Sequence, residues 1–293
     1  MSLFHHLHRW AAIALLGLLP LTQAFAQPAL WVVKNAHTTI YLFGTVHLLP
    51  DDTTWHYPAL DRALAASDSL TIELTDDDSA TMQALVLQYG LDPAHPLSDK
   101  LTTAENASLA QAAQAADLPG GIRTLQIMRP WLAAVTLAVA PLTKAGLDPA
   151  HGVDKLLKAQ MQQAGKPVNG METAEQQIHF LADLPPDVEL SFLRSTLHDF
   201  DKGAAELTEL INAWKNGDTA TIARIEDEDV RQQAPELYQR LLVQRNQAWA
   251  GKIAAMLQQP GTVFVAVGAG HLAGPDSVQA QLRKLGIEAT RQP

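Results

Sequence analysis

Gly261-Thr262-Val263-Phe264-Val265-Ala266-Val267-Gly268 is the stretch that decides the fold. Between its two glycines the residues are continuously apolar or β-branched, and the run is too short for an ordinary helix. It also lacks the apolar-polar alternation of a strand with one wet face, so it reads as a strand buried on both faces, as in a parallel sheet covered by helices. Towards the C-terminus, a helix over residues 277–285 and a last strand over 287–290 complete the chain. Towards the N-terminus, residues 30–33 and 39–43 are short β-branched and aromatic runs separated by Lys34-Asn35-Ala36-His37, the pattern of a hairpin. Residues 69–74 read as a third strand. The segment 58–66 between them carries Leu60 and Leu64 at helical spacing, giving a strand-helix-strand unit suited to parallel pairing.

From about 79 to 259 the pattern is almost wholly helical, with stops at Gly90-Leu91-Asp92-Pro93, Pro119-Gly120-Gly121, Gly146-Leu147-Asp148-Pro149, Pro185-Pro186 and Asn216-Gly217-Asp218. One interruption, residues 166–171, looks like a strand, and Thr173-Ala174-Glu175-Gln176 then supplies a capping-box helix start. The class is therefore α/β: a mixed, largely parallel central sheet formed by the N- and C-terminal parts, with a large helical middle segment packed on it or capping it. No low-complexity linker divides residues 27–293, which read as a single domain carrying a helical insertion at about 79–259.

Arg9, the apolar run from Trp10 to Leu19, and Ala24-Phe25-Ala26 have the layout of a signal peptide over residues 1–26, cleaved before Gln27. This predicts a periplasmic or secreted protein. The run falls short of the roughly 20 residues that span a bilayer, and the apolar stretch from Trp131 to Pro141 reads as a buried helix, so no stable membrane span is expected. A net charge of −10 disfavours nucleic acid and anionic lipid as partners. With no cysteine, disulfides and thiolate metal sites are excluded, and any metal must be held by His, Asp or Glu.

The chemistry-bearing pattern is a pair. Phe43-Gly44-Thr45-Val46-His47-Leu48 and Val267-Gly268-Ala269-Gly270-His271-Leu272 stand at opposite ends of the chain, each a strand followed by Gly-x-x-His-Leu. A glycine at a strand exit, Gly44 or Gly268, lets the backbone turn tightly and aim the imidazole into the crevice beyond the sheet's carboxyl edge. One such element is most simply a turn with a satisfied histidine; two in matched contexts point to a shared site. Glu73, in Thr71-Ile72-Glu73-Leu74, is an acid between apolar neighbours at a strand end, either a third ligand or base, or a carboxylate turned to water. His47, Glu73 and His271 would suit a divalent ion such as Zn²⁺, Mn²⁺ or Co²⁺ with positions left open for water or substrate. Such an ion acidifies its water, and a second carboxylate can relay protons. Glu172 is the candidate for that relay, with a first-turn charge favouring the helix dipole as the plainer reading.

Arg245, on a helix with Asn246 and Trp249, would bind a substrate carboxylate or stabilise an oxyanion, or else pair with acids. Arg129, directly before Pro130, fits a helix start and is a weaker substrate-binding candidate. Asp154 in the first turn after Gly152 fits a charge favouring the dipole. His56, between Trp55 and Tyr57, is a candidate for lining the cleft.

These segments, with Tyr41-Leu42-Phe43-Gly44, Arg129-Pro130-Trp131, Gly152-Val153-Asp154, Gly165-Lys166-Pro167-Val168, Glu172-Thr173 and Arg245-Asn246, run through essentially the whole chain after the leader. In that order they resemble the TraB/PrgY/GumN family, related to the Tiki proteins of animals, and look most like its GumN branch. The resemblance implies an α/β fold similar to erythromycin-esterase and ChaN-type proteins, with a metal site at the two Gly-x-x-His motifs and the early-strand acid, positions that His47, His271 and Glu73 occupy. In the Tiki branch it implies Mn²⁺- or Co²⁺-dependent cleavage of peptides, and in the PrgY branch suppression of a peptide pheromone.

The reading from sequence is thus a divalent-metal-dependent, peptidase-like hydrolase acting on a peptide or small-molecule substrate, with Glu73, Glu172 and Arg245 as catalytic groups. Two alternatives stand beside it: a non-catalytic haem, metal or ligand-binding protein of the envelope, and an accessory protein in polysaccharide export.

Overall fold

A computed structural model of the chain describes residues 27–50, 53–144, 147 and 151–293; the expected leader lies outside the described residues. Among the described residues six strands form one sheet: β1 (Leu30–Lys34), β2 (Thr38–Thr45), β3 (Ser69–Ile72), β4 (Val168–Gly170), β5 (Gly261–Gly268) and β6 (Thr290–Arg291). Their order is β4-β3-β5-β2-β1-β6. The apolar run of β5 lies between β2 and β3 and is parallel to both, β3 is parallel to β4, and β1 is antiparallel to β2 and β6. The first and last parts of the chain therefore share one sheet. β2 and β3, joined through the helix Pro58–Ala66, are parallel but not adjacent, because β5 inserts between them.

The side chains of β5 alternate between two cores, as a strand period of 2 requires. Phe264 and Ala266 join Phe43, Leu64, Leu70, Leu157 and Trp214 on one face. Val265 and Val267 join Ile40, Leu42, Trp249, Ile253 and Leu282 on the other. Helices Pro58–Ala66, Val153–Gln163 and Gly203–Lys215 cover the first face, and Gln244–Met256 with Val278–Lys284 covers the second. Helices between residues 79 and 199 build further apolar clusters of their own, around Leu109, Leu137 and Leu193 and around Trp131 and Ile178.

Several boundaries differ from the sequence reading. β3 ends at Ile72, leaving Glu73 just beyond it, and the mid-chain strand shrinks to Val168–Gly170. The last strand forms at 290–291 instead of 287–290: Gly286 closes the preceding helix at φ +77°, and the Ile287 N–H donates to the Leu282 carbonyl, which keeps Ile287 on the helix end. The helix Pro130–Lys144 buries Trp131, Ala133, Ala134 and Leu137 but leaves Val139 exposed, so it is amphipathic rather than enclosed. No helix among the described residues is long and apolar enough to cross a membrane.

Candidate active site

Register sets the site. β2 and β5 run in step from Thr38 opposite Gly261 to Thr45 opposite Gly268, and Ile72 of β3 pairs with both Ala266 of β5 and Gly170 of β4. Four parallel strands therefore end along one rim, the carboxyl edge where α/β sheets place their ligands. His47, Glu73, Glu172 and His271 are all delivered within a few residues of those ends.

Gly268 lies at the centre of the group. A Cβ there would sit 3.2 Å from Glu73 Oε1, 3.5 Å from His271 Cδ2 and 3.6 Å from His47 Nε2. All three side chains thus close on one point, which only a glycine leaves open. The Gly268 N–H donates to Glu73 Oε1 at 2.7 Å. At the other motif the glycine has a different role: a Cβ on Gly44 would meet the Ala269 Cα at 3.1 Å, so its absence lets the two strand exits pack together.

The two imidazoles have opposite surroundings. His47 is 59 % exposed, and its Nδ1 donates to Asp154 Oδ1 at 3.1 Å. Asp154 comes from the first turn of the helix Val153–Gln163, docked against the His47 loop by the Val153 N–H bond to the Val46 carbonyl. Burial alone would lower the pKa of His47, but its bond to Asp154 and the charges of Asp154, Glu73 and Glu226 raise it to about 9. Because more than half of the ring faces water, its hold on a proton comes from these acids and not from enclosure.

His271, on the 3₁₀ turn Ala269–Leu272, is 10 % exposed, with its ring 4.3 Å from that of Trp249. Asn246 donates through Nδ2 to the Asp276 carbonyl at 2.9 Å, which turns its Oδ1 to accept from His271 Nδ1 at 2.6 Å. The proton is thereby fixed on Nδ1, and Nε2 faces the site as an acceptor, the tautomer that suits a metal ligand. Burial, reinforced by the Arg245 and His47 charges, pushes its pKa down to about 3, so it stays neutral.

Arg245 is woven through the same atoms. Its NH2 donates to Glu73 Oε2 at 2.7 Å and Glu172 Oε2 at 2.9 Å, its Nε to Glu172 Oε1 at 3.1 Å, and its NH1 to His271 Nε2 at 3.1 Å. Trp249 Nε1 donates to Glu172 Oε1 at 2.8 Å, and Gln177 Nε2 bridges Glu73 and Glu172 at 3.1 Å to each. Burial would raise the pKa of Glu73, yet the neighbouring positive charge, with Arg245 the persistent cation at neutral pH, and the Gly268 N–H hold it at about 2.

The donors suit a divalent ion, two imidazole nitrogens and a carboxylate, but in this arrangement the Arg245 guanidinium sits on two of them. Glu73 Oε1 and His271 Nε2 are 4.0 Å apart. Among the described residues no group of three or more His, Cys, Asp or Glu is closed tightly enough to hold a metal. Beside the group is a cavity of about 230 Å³ lined by Thr45, His47, Glu73, Asp77, Asp154 and Gln177.

Two sequence candidates lie elsewhere. Arg129 donates to the Tyr89 carbonyl at 3.1 Å and the Ala182 carbonyl at 2.7 Å and pairs with Glu189, tying helices together away from the cavity. His56 bonds Asp61 at 2.6 Å and stacks on Trp55, and is not part of the cavity wall.

Other residues gain roles that sequence reasoning missed. Asp154 orients His47, Asn246 orients His271, and Gln177 links the two acids. Glu226, on the π-helical turn Arg224–Glu228, accepts from the Gly270 N–H and reaches over Gly270, where any Cβ would collide with its carboxylate. The residue is exposed overall, but its carboxylate loses water where it lies against Gly270, which with the Glu73 charge pushes its pKa up to about 7. In sequence Glu226 stands in an acidic run that looks like a solvated face; the only signal for Asp154 and Asn246 was their place within the family-like blocks Gly152-Val153-Asp154 and Arg245-Asn246.

The TraB/PrgY/gumN family model matches residues 29–291, nearly all of the described chain. The chain belongs to this family. It is 28% identical over 262 residues to the uncharacterized protein YbaP of Escherichia coli, covering 88% of this chain and 93% of that one. An uncharacterized protein of Treponema pallidum is 24% identical over 290 residues, 92% of this chain and 84% of the relative. The metalloprotease TIKI2 of Danio rerio is 26% identical over 335 residues, which cover 94% of this chain and 62% of that protein. No solved structure matches the chain.

Proposed function

We propose that this family member is a divalent-metal-dependent hydrolase of peptide-like substrates, working at the rim where β2, β3 and β5 end. One observation carries the reading: His47 Nε2, Glu73 Oε1 and the His271 ring all lie within 3.6 Å of the position a Cβ would take on Gly268. The distant likeness to a protein described as a metalloprotease supports the same class.

His47, Glu73 and His271 would hold the ion, which when bound supplies an acidified water and a polarised carbonyl. The remaining chemistry belongs to the chain. Asn246 and Asp154 hold both rings through Nδ1, which turns each Nε2 towards the site; on His47 the Nε2 proton present at neutral pH would be released as the ion binds. Glu172, tied to Glu73 through Gln177, would take the proton released by the attacking water and pass it to the leaving amine. The Arg245 guanidinium, once released from Glu73 and His271, would bind a substrate carboxylate or a developing oxyanion. Export to the periplasm or beyond, as the N-terminal pattern predicts, would put this chemistry in the envelope.

The test is cleavage of a peptide library by chelator-treated protein resupplied with Mn²⁺, Co²⁺ or Zn²⁺. The expected result is ion-dependent cleavage by the wild type and none by H47A/H271A. Cleavage that survives chelation would overturn the metal dependence, and no cleavage under any condition would sink the hydrolase reading.

A further inference from the structure

The position of Arg245 has a consequence for how an ion enters. Its NH2 lies on Glu73 Oε2 and its NH1 on His271 Nε2, so two of the three groups suited to hold a divalent cation already hold a guanidinium. We propose that Arg245 is a displaceable internal cation: it keeps Glu73 and His271 ordered in the ion-free protein and must leave both before a divalent ion binds. The inference rests on the metal-dependent reading above.

Three observations support displacement over permanent blockade. The first is charge. Two buried carboxylates, Glu73 and Glu172, share one guanidinium, so Arg245 keeps a carboxylate partner even when it releases Glu73. An incoming ion can take Glu73 while Arg245 keeps Glu172. The second is that Glu172 is held independently of Glu73, by Trp249 Nε1 and by the Arg245 Nε, so the anchor survives the exchange. The third is space. On its far side Arg245 borders a second cavity of about 440 Å³, walled by Phe180 and Trp249, whose rings lie 5.4 Å and 4.7 Å from the guanidinium carbon. Both aromatic faces already attract the guanidinium where it stands, and the cavity beside them gives it room to shift without losing that contact.

The idea separates Arg245 from a purely structural cation. A structural arginine stabilises the site for every ligand, and its loss weakens ion binding; a competing cation strengthens ion binding when it is removed. The experiment is calorimetric titration of chelator-treated protein with MnCl₂, CoCl₂ and ZnCl₂, comparing wild type, R245M, R245M/E172Q and H47A/H271A. The double variant is included because R245M leaves two buried carboxylates without their cation, which can unfold the protein; R245M/E172Q leaves one. The expected result is that R245M/E172Q binds its preferred ion about tenfold or more tighter than wild type, while H47A/H271A does not bind. If wild type binds and H47A/H271A does not, but R245M/E172Q binds no tighter than wild type, the displacement idea is overturned and the metal site stands. If neither wild type nor the arginine variants bind any of the three ions, both ideas fall.

Discussion

The Gly-x-x-His elements match closely in sequence and are built in opposite ways. The element ending in His47 is open: its imidazole is 59 % exposed and is oriented by an acid from a separate helix, Asp154. The element ending in His271 is enclosed: its imidazole is 10 % exposed, packed on Trp249 and oriented by an amide, Asn246. An acid beside an exposed ring raises its affinity for a proton; an amide in a buried place leaves the ring neutral. The same motif thus gives one ring that faces the cavity and solvent and one that is part of the core, and the two meet over a single glycine.

The largest expected effects come from removing each ring in turn. H47A and H271A should each abolish hydrolysis, but only H271A should also lower stability, by about 2–3 kcal/mol, through a lost buried contact and an Asn246 oxygen left without its donor. H47A should cost about 1 kcal/mol or less, as for other exposed pairs. Denaturant melts beside activity assays check this, and equal stability losses would break the contrast.

The glycines sharpen it. G268A places a methyl group among Glu73, His271 and His47 and should cut turnover roughly 10²-fold with little loss of stability, since it faces side-chain ends. G44A presses on the Ala269 backbone and should instead destabilise by about 1–3 kcal/mol.

A smaller effect is expected at the orienting acid. D154N should lower turnover roughly tenfold and bring the His47 pKa from about 9 back towards the ordinary histidine value, as followed by NMR titration of the ion-free protein.

The smallest effect lies under the turn after His271, where Asp227 is 5 % exposed and close to Gly274, and its Oδ2 has no hydrogen-bond partner among the described residues. Burial, helped by Glu226 and Asp276, raises its pKa to about 7. The folded state therefore holds a proton that the unfolded state releases at lower pH, so this group's contribution to stability falls as pH rises from about 4 to 7 and is flat above. D227N should raise the melting temperature by about 5 °C at pH 8, with the gain shrinking towards pH 5. A gain that does not depend on pH would show that Asp227 is not protonated in the fold.

The contrast between the elements also marks where sequence reading stops. The continuous apolar run of β5, the hairpin before it and the capping box at Thr173 are local patterns, and they led to an α/β sheet shared by the chain ends. The matched motifs and Glu73 were legible because each sits at a strand exit, where position alone constrains direction. Partner identity was not legible. Asp154 looked like a helix-dipole charge because its distance from His47 depends on how one helix docks on a distant loop. Glu226 was hidden in an acidic run because the π-helical turn that aims it has no simple sequence period. The dual grip of Arg245 on Glu73 and Glu172 arises from strand register, which no local pattern specifies.

The most direct test is anomalous scattering from crystals grown with Mn²⁺ after chelation. A single site bounded by His47, Glu73 and His271, with Arg245 withdrawn from Glu73, is the expected outcome. Well-ordered crystals with Arg245 still bonded to Glu73 and His271, and manganese elsewhere or nowhere, would contradict it.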